Sequence, residues 1–439
     1  MSENRNHWQV TTLGKIAAEE YGLVDGPFGS NLSSAEYVQD GIPVIRGSNL
    51  TLGPGHFVDD EFAFVTQAKA DELSRSNCYP GDIIFTKKGT LGQTGIIPQH
   101  HRYKRFVLSS NQMKLTVNTA IADPHFVYYY VSSPTSIEKI RRDAEATGVP
   151  KTNLVYLRTF PVPLPPLAEQ RAIAAILAGF DDKIEANRRL NATLEATARA
   201  LFQSWFVDFD PVRAKAEGRP PDGMDAATAA LFPDSFVESP LGEIPRGWRV
   251  GTLGEIISER NERNRDSEFD RVLSAVSSGE LVLSDEFFTK QVYSRDVSKY
   301  KRVYYLDFAY NPSRINIGSI GMLTDYESGV VSPVYVVFTP EAGYEWFVLY
   351  TIRLPQMKSE IDTLSSGTVR QNLRFTDMAS IGVCIPPVGI VRCFNKLLVD
   401  FRAHIEANNR QSRTLAAARD ALLPRLISGD VRVGVSQHG

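Results

Sequence analysis

The chain has 439 residues, too many for one hydrophobic core, so two or more domains are expected. Its 43% hydrophobic and 23% charged residues are ordinary for a globular protein, and three cysteines (Cys78, Cys384, Cys393) exclude both a disulfide framework and a zinc ligand set. A net charge of −3 leaves a nucleic-acid partner open, because a basic face can be offset by acids elsewhere.

The opening residues, Met1 to His7, lack the apolar run of a secretory leader. No stretch reaches the ~20 apolar residues of a membrane span, so a reduced, cytoplasmic protein with no membrane partner is expected. Residues 1–164 show β-branched and aromatic alternation broken by Gly, Pro, Asn and Asp, which predicts strands, turns and a few short helices. Pro165 and Pro166 stop that pattern, since proline continues neither a strand ladder nor a helix interior. Residues 165–207 then read as a long helix: Leu177, Phe180, Ile184, Leu194, Ala198, Leu201 and Trp205 step by threes and fours. A linker follows over 208–246. Residues 247–384 repeat the mixed pattern, and 385–428 read as a second helix with Leu398, Phe401, Ile405, Leu415, Leu422 and Leu426 in the same register. The last segment, 429–439, is a tail.

The two halves are copies. Trp8-Gln-Val-Thr-Thr-Leu-Gly-Lys-Ile16 returns as Trp248-Arg-Val-Gly-Thr-Leu-Gly-Glu-Ile256. Gly81-Asp-Ile-Ile-Phe85 with Gly92-Gln-Thr-Gly95 returns as Leu306-Asp-Phe-Ala-Tyr310 with Gly318-Ser-Ile-Gly321. Gly148 to Leu154 matches Gly367 to Leu373, Leu164-Pro-Pro166 matches Ile385-Pro-Pro387, and Ile184-Glu-Ala-Asn187 recurs unchanged as Ile405-Glu-Ala-Asn408. Matches in one fixed order mean a duplicated gene half.

The apolar stripe of each helix is narrow, flanked by Glu185, Arg188, Arg189 and Glu195, which predicts helix-on-helix pairing as a coiled coil. The expected fold is α+β: two globular domains of mixed structure separated by two long antiparallel helices with a pseudo-two-fold axis between the halves. Asn187 and Asn408 fall on the seam and are expected to exchange amide hydrogen bonds, fixing register at some cost in stability. A helix from about Leu167 to Phe206 spans ~60 Å at ~1.5 Å per residue. Two domains held at such a distance suit two contacts on one duplex, whose turn is ~34 Å.

Several segments resemble the specificity subunits of type I restriction-modification systems. They are the helix start Leu164-Pro-Pro-Leu-Ala-Glu-Gln-Arg171, the segment Gln203-Ser-Trp-Phe-Val-Asp-Phe-Asp-Pro-Val-Arg213, and Leu241-Gly-Glu-Ile-Pro-Arg-Gly-Trp248. Asp25-Gly-Pro-Phe-Gly-Ser30 and Gly41-Ile-Pro-Val-Ile-Arg-Gly-Ser-Asn49 belong to the same set, and the resemblance covers essentially the whole chain. The second helix start departs from it, with Val388-Gly-Ile-Val-Arg392 in place of Leu-Ala-Glu-Gln-Arg. The resemblance implies that each target-recognition domain reads one half of a split DNA sequence while the helices set the gap. Two methyltransferase subunits using S-adenosylmethionine and motor-nuclease subunits using ATP and magnesium are the implied partners. The chain itself is then no enzyme and holds no cofactor.

A self-contained DNA methyltransferase or nuclease is the alternative. Gly89-Thr-Leu-Gly-Gln-Thr-Gly95 lacks the lysine of a phosphate loop, and Asn311-Pro-Ser-Arg314 lacks the aromatic residue that would stack on a flipped base. Pro80-Gly-Asp82 with Lys87 lacks the second carboxylate of a nuclease core. Duplex contacts need Lys and Arg for phosphates and amide, hydroxyl or guanidinium groups for base edges. The candidates in the first half are Lys87, Lys88, Thr90 and Gln93, then Arg102, Lys104 and Arg105, then Lys151. In the second half they are Arg260, Arg263 and Arg265, then Arg314, Asn316 and Ser319, then Arg370 and Gln371. Asn153 and Asn372 recur in both halves and are expected to be structural. Trp205, Phe206 and Phe209, with Val207, exceed what the helix seam needs, so they are expected to be exposed, docking a methyltransferase subunit or capping the bundle.

Overall fold

The computed structural model describes residues 8–55, 57–59, 61–144, 151–266, 268–276, 279–287, 293–365 and 372–434. Two compact units carry them: residues 1–190 with 406–439, and residues 191–405. The architecture is α+β.

In the first unit Gln9–Thr12 pairs antiparallel with Pro161–Leu164, the strand that ends at the proline pair. Between them lie two five-stranded sheets. One runs Leu23–Asp25, Gln112–Leu115, Ile83–Thr86, Gln93–Ile96 and Thr51–Leu52, every neighbour antiparallel. The other holds a parallel pair, Ile42–Ile45 beside Phe106–Leu108. Ile83, Ile84 and Phe85 are all buried, which explains a continuous apolar run where a half-exposed strand would alternate. Helices Pro124–Val131 and Pro134–Arg142 each begin with proline at the first position, after Asp123 and Ser133. Those two side chains accept the N–H groups of Phe126 and Ser136, satisfying donors the helix leaves open.

The second unit follows the same plan. Arg249–Thr252 pairs with Gly382–Ile385. The central sheet runs Ile257–Arg260, Val336–Pro340, Phe308–Tyr310 and Ile320–Met322, the order of the first four strands of the corresponding sheet in the first unit. The duplication reaches single hydrogen bonds. Leu13 N donates to Phe160 O at 3.0 Å, and Leu253 N to Ile381 O at 2.9 Å. The turn before the matching strands is also shared: Gly81 N donates to Ile97 O at 2.9 Å, and Leu306 N to Leu323 O at 2.8 Å. This turn needs a left-handed residue, with φ +92° at Gly81 and +67° at Leu306. Glycine adopts it freely, whereas Leu306 carries about 1–2 kcal/mol of strain, held in place by packing on the unit's core.

The long helices are Leu167–Phe206 and Val388–Ile427, 40 residues each. Their ends are more deeply buried than their middles. Ile173, Ala174, Leu177, Leu423, Leu426 and Ile427 join the first unit's core. Ala198, Phe202, Trp205, Phe206, Ile390, Val391, Phe394 and Leu398 join the second's. Ile184, Leu194, Ile405 and Leu415 are only half-buried. Each helix therefore packs on a unit's core near each of its ends as well as along a helical seam, a wider apolar face than a pure coiled coil implies. Within the first unit the helices run in opposite senses: Asp181 meets Arg419, and six residues on, Asn187 meets Gln411 and Ser412.

The departure in the second helix start has a packing reason. Gln170 is fully buried, accepts the Asp123 N–H at 2.8 Å and donates to Pro165 O at 2.8 Å, and Glu169 accepts the Trp8 indole N–H at 3.2 Å. Their counterparts, Val391 and Ile390, are equally buried and apolar. The Trp248 indole nitrogen accordingly has no protein acceptor.

Candidate nucleic-acid interface

The first unit gathers several predicted residues at one end of a sheet. Ile83–Thr86 and Gln93–Ile96 are joined by the loop carrying Lys87, Lys88 and Thr90. Lys87 N donates to Asn111 O at 2.7 Å, Thr152 N donates to Lys87 O at 2.9 Å, and Lys88 bridges Lys151. The runs at 87–93 and 151–153, 60 residues apart, are thus one surface. Lys87 Nζ is 3.2 Å from Asp25, while Lys88, Thr90 and Lys151 are exposed. Gln93 is half-buried and donates to Leu50 O at 3.3 Å. Asn153 accepts the Tyr156 N–H at 2.8 Å and caps helix Leu154–Thr159, the structural role expected of it.

The basic run at 101–105 lies apart from that loop. Arg102 donates to Asp59 O at 2.9 Å and stands over the Tyr103 ring, and Arg105 is paired with Asp71 at 2.6 Å. Lys104 is exposed. His101 is buried among Phe57, Phe62 and Phe106, and burial pushes its imidazole down from the usual range.

The second unit repeats the loop. Phe308–Tyr310 and Ile320–Met322 are joined by the segment carrying Arg314, Asn316 and Ser319. Leu373 N donates to Pro312 O at 3.2 Å, tying the same two segments together two residues further along than the Thr152–Lys87 bond does. Arg314 is exposed and Asn316 half-buried. Ser319 is buried, its hydroxyl donating to Ala275 O at 3.4 Å, so it presents no group outward. Arg370 and Gln371 lie outside the described residues. Arg260 is drawn inward, 2.8 Å from the buried Asp307, donating to Thr339 and lying over Tyr304. Arg263 donates to Lys299 O at 3.3 Å, and Arg265 is exposed. Their surroundings are acidic: Glu262, Asp266 and Glu268 converge on Arg302. Arg314 and Asn316 therefore offer the stronger site for a polyanion.

The sequence reading passed over Asn111 and Ser48, side chains of single turns with no charge run to mark them. Asn111 and Ser48 are exposed beside the first unit's loop, and a Cβ added at Gly47 would stand 3.7 Å from the Gln93 and Gln112 amides.

Two expectations about the spacer need correction. Asn187 is 1% exposed and donates to the main-chain oxygen of Asn408 at 3.3 Å, to Gln411 at 2.9 Å and to Ser412 at 3.2 Å. Its amide thus meets backbone and neighbouring side chains instead of exchanging bonds with the Asn408 amide. Trp205, Phe206 and Phe209 are buried, not exposed. Phe206 packs on Phe394 at 5.3 Å and Phe209 on Trp248 at 5.5 Å. The residues after the helix, 208–246, fold back as two short helices and a hairpin with Phe232 against Trp205.

The motifs weighed for chemistry are structural. Asn311 accepts the Ser313 N–H at 3.1 Å in a tight turn. Asp82 accepts the Tyr79 N–H at 2.9 Å and bonds Thr116 and Lys114. Among the described residues no three His, Cys, Asp or Glu side chains are grouped as metal ligands, and no helix is long and apolar enough to cross a membrane.

Residues 31–196 match the family model described as the type I restriction modification DNA specificity domain. The type I restriction enzyme HindI specificity subunit of Haemophilus influenzae is 26% identical over 421 residues, covering 82% of this chain and 90% of that one. The MjaIX specificity subunit of Methanocaldococcus jannaschii is 24% identical over 448 residues, covering 97% and 96%. In fold, the chain is similar to the crystal structure of a type I restriction-modification S subunit from M. genitalium, with a TM-score of 0.53, 16% identity and 99% of each chain covered.

Proposed function

We infer that the chain is a type I restriction-modification specificity subunit, which reads a split, asymmetric DNA site and directs methylation and restriction by partner subunits. We assign residues 1–164 and 247–384 as the two target-recognition domains, 165–207 and 385–428 as the spacer helices, and the cytoplasm as the compartment. The chain binds and leaves catalysis to two methyltransferase subunits, which bring S-adenosylmethionine, and to motor-nuclease subunits, which bring ATP and magnesium. The observation that carries this reading is the duplicated loop: the segment after Thr86 and the segment after Tyr310 join matching strands, and each is tied by a backbone bond to a later segment, Thr152 to Lys87 and Leu373 to Pro312. Their side chains differ, with Lys87, Lys88, Thr90 and Gln93 in one and Arg314 and Asn316 in the other. Copies built alike but furnished differently suit the reading of two unlike half-sites.

Selection from a randomised duplex pool, using the chain assembled with its methyltransferase subunits, tests this. Two unlike half-sites separated by a fixed gap are expected. K88A with K151A should weaken binding through the first unit without changing the bases selected there, and R314A with N316A should relax selection at the second half-site. Enrichment of one contiguous site or of a perfect palindrome refutes the reading. So does S-adenosylmethionine binding or duplex cleavage by the chain alone.

A further inference from the structure

We propose that Phe28 is a base-contacting residue of the first recognition domain, presenting its ring to the bases of the half-site while the lysines beside it meet phosphates. This rests on the DNA-reading function inferred above. Phe28 is 81% exposed, the most exposed aromatic of the described chain. Single apolar residues in water are common on protein surfaces, so exposure alone assigns nothing. What distinguishes Phe28 is how firmly the chain holds it there.

On its N-terminal side, Gly26 donates its N–H to Gln112 O at 2.9 Å and lies so close to the 109–112 turn that a Cβ would stand 1.9 Å from Ser109 O. No side chain fits at that position. Pro27 is buried and fixes its own φ. Phe28 itself is extended, at φ −59° and ψ 147°. On its C-terminal side, Asn31 N donates to Phe28 O at 2.8 Å and Leu32 is buried in the core. The segment is pinned at both ends, so the ring is held outward by construction.

The ring also stands beside the candidate interface. Asp25, three residues earlier, is the ion-pair partner of Lys87, and Lys87 O accepts the N–H of Thr152, next to Lys151. A phenyl ring has no donor for a phosphate. The apolar surfaces a duplex offers are base faces and thymine methyl groups, reached by stacking at a step or by packing in a groove. The second half has no counterpart of Gly26-Pro-Phe-Gly-Ser30, so the contact belongs to the first half-site alone.

The test uses the assembled complex and the duplex enriched by wild type. F28A is expected to bind that duplex about ten-fold more weakly, with its slope against salt unchanged and its affinity for an unrelated duplex unaltered. K88A should weaken both duplexes alike and reduce the salt slope by about one. F28W should retain most of the wild-type affinity, and circular dichroism of F28A should match wild type. Uracil in place of thymine in the first half-site should abolish the F28A difference if the ring packs on methyl groups. A 2-aminopurine reporter should brighten with wild type and not with F28A if the ring enters a step. F28A binding indistinguishable from wild type overturns the inference, as does equal weakening on selected and unrelated duplexes. A wild-type complex that enriches no split site overturns the underlying reading as well.

Discussion

Asp82 and Asp307 hold the same place in the two copies, and their surroundings separate what a sequence reveals from what it conceals. Each is buried and accepts the N–H three residues before it, Tyr79 for one and Tyr304 for the other, both at 2.9 Å. Each also takes a threonine hydroxyl and a cation: Thr116 and Lys114, or Thr339 and Arg260. The echo of Asp82 in Asp307 was legible. The partners were not, because Arg260 comes from a strand 47 residues away and Lys114 from the opposite side of its own pairing. A linear reading therefore shows Arg260 only as one member of a basic run, without the carboxylate it pairs with. Removing either carboxylate leaves a cation and an N–H without their acceptor, and the cost scales with how far the cation is from water. The Lys114 side chain is 5% exposed and that of Arg260 30%. D82A is expected to destabilise by about 4 kcal/mol and D307A by about 2 kcal/mol. Urea unfolding checks this: D82A should shift the transition of the first unit, D307A that of the second, and an equal loss in both would contradict the burial argument.

At the scale of elements, the long helices were the most legible feature. The stepping apolar positions and proline pairs predicted helices where Leu167–Phe206 and Val388–Ile427 lie. Which faces they bury was only partly legible, since a stripe of Trp and Phe reads the same whether its cover is a partner or a later segment of the same chain. Phe232, Phe347 and Phe394, the residues that cover Trp205 and Phe206, are 26 to 189 residues downstream and carry no mark linking them to the helix. Two polar contacts fix the helices in the first unit. Asp181 accepts the Tyr129 hydroxyl at 2.6 Å and pairs with the buried Arg419; burial and that carboxylate together push the phenol of Tyr129 far above its usual range. R419A leaves Asp181 without its cation and is expected to cost about 3 kcal/mol, whereas Y129F should cost about 1 kcal/mol, both read from urea unfolding. Asn187 acts differently, because Gln411 is exposed and Ser412 half-buried, so water can replace the amide they would lose. N187L with N408L is expected to raise the thermal midpoint while loosening register, since a buried amide penalises slipped pairings that leucine tolerates. Selection with that variant should return the same half-sites with a broader spread of gaps; a lower midpoint with an unchanged gap would refute it.

At the scale of the whole molecule, the duplication carries the argument. The two helices have equal length, and the same 221-residue offset that separates Asn187 from Asn408 separates their first residues and their last. Equal helices retained while the two copied domains drifted in length are what a ruler requires, since drift in one helix alone would alter the gap while each half still read its bases. Each helix also contributes buried residues to both units. Under the proposed function, the bases read depend on the loops at 87–93 and 311–319, and the gap depends on the helices. The two are then separable by mutation. Four residues are close to one turn, 3.6 residues, so inserting four keeps each helical face nearly in phase while adding ~6 Å of rise. Placing one insertion in each helix, between Leu190 and Asn191 and between Ile405 and Glu406, spares the Asp181–Arg419 and Asn187–Ser412 contacts. At ~3.4 Å per base pair the expected result is a gap longer by about two base pairs, with both half-site sequences unchanged. Selection from a randomised pool measures both quantities in one experiment. Half-sites that change while the gap stays fixed would show that the helices do not measure the spacing and that the loops are not independent of them.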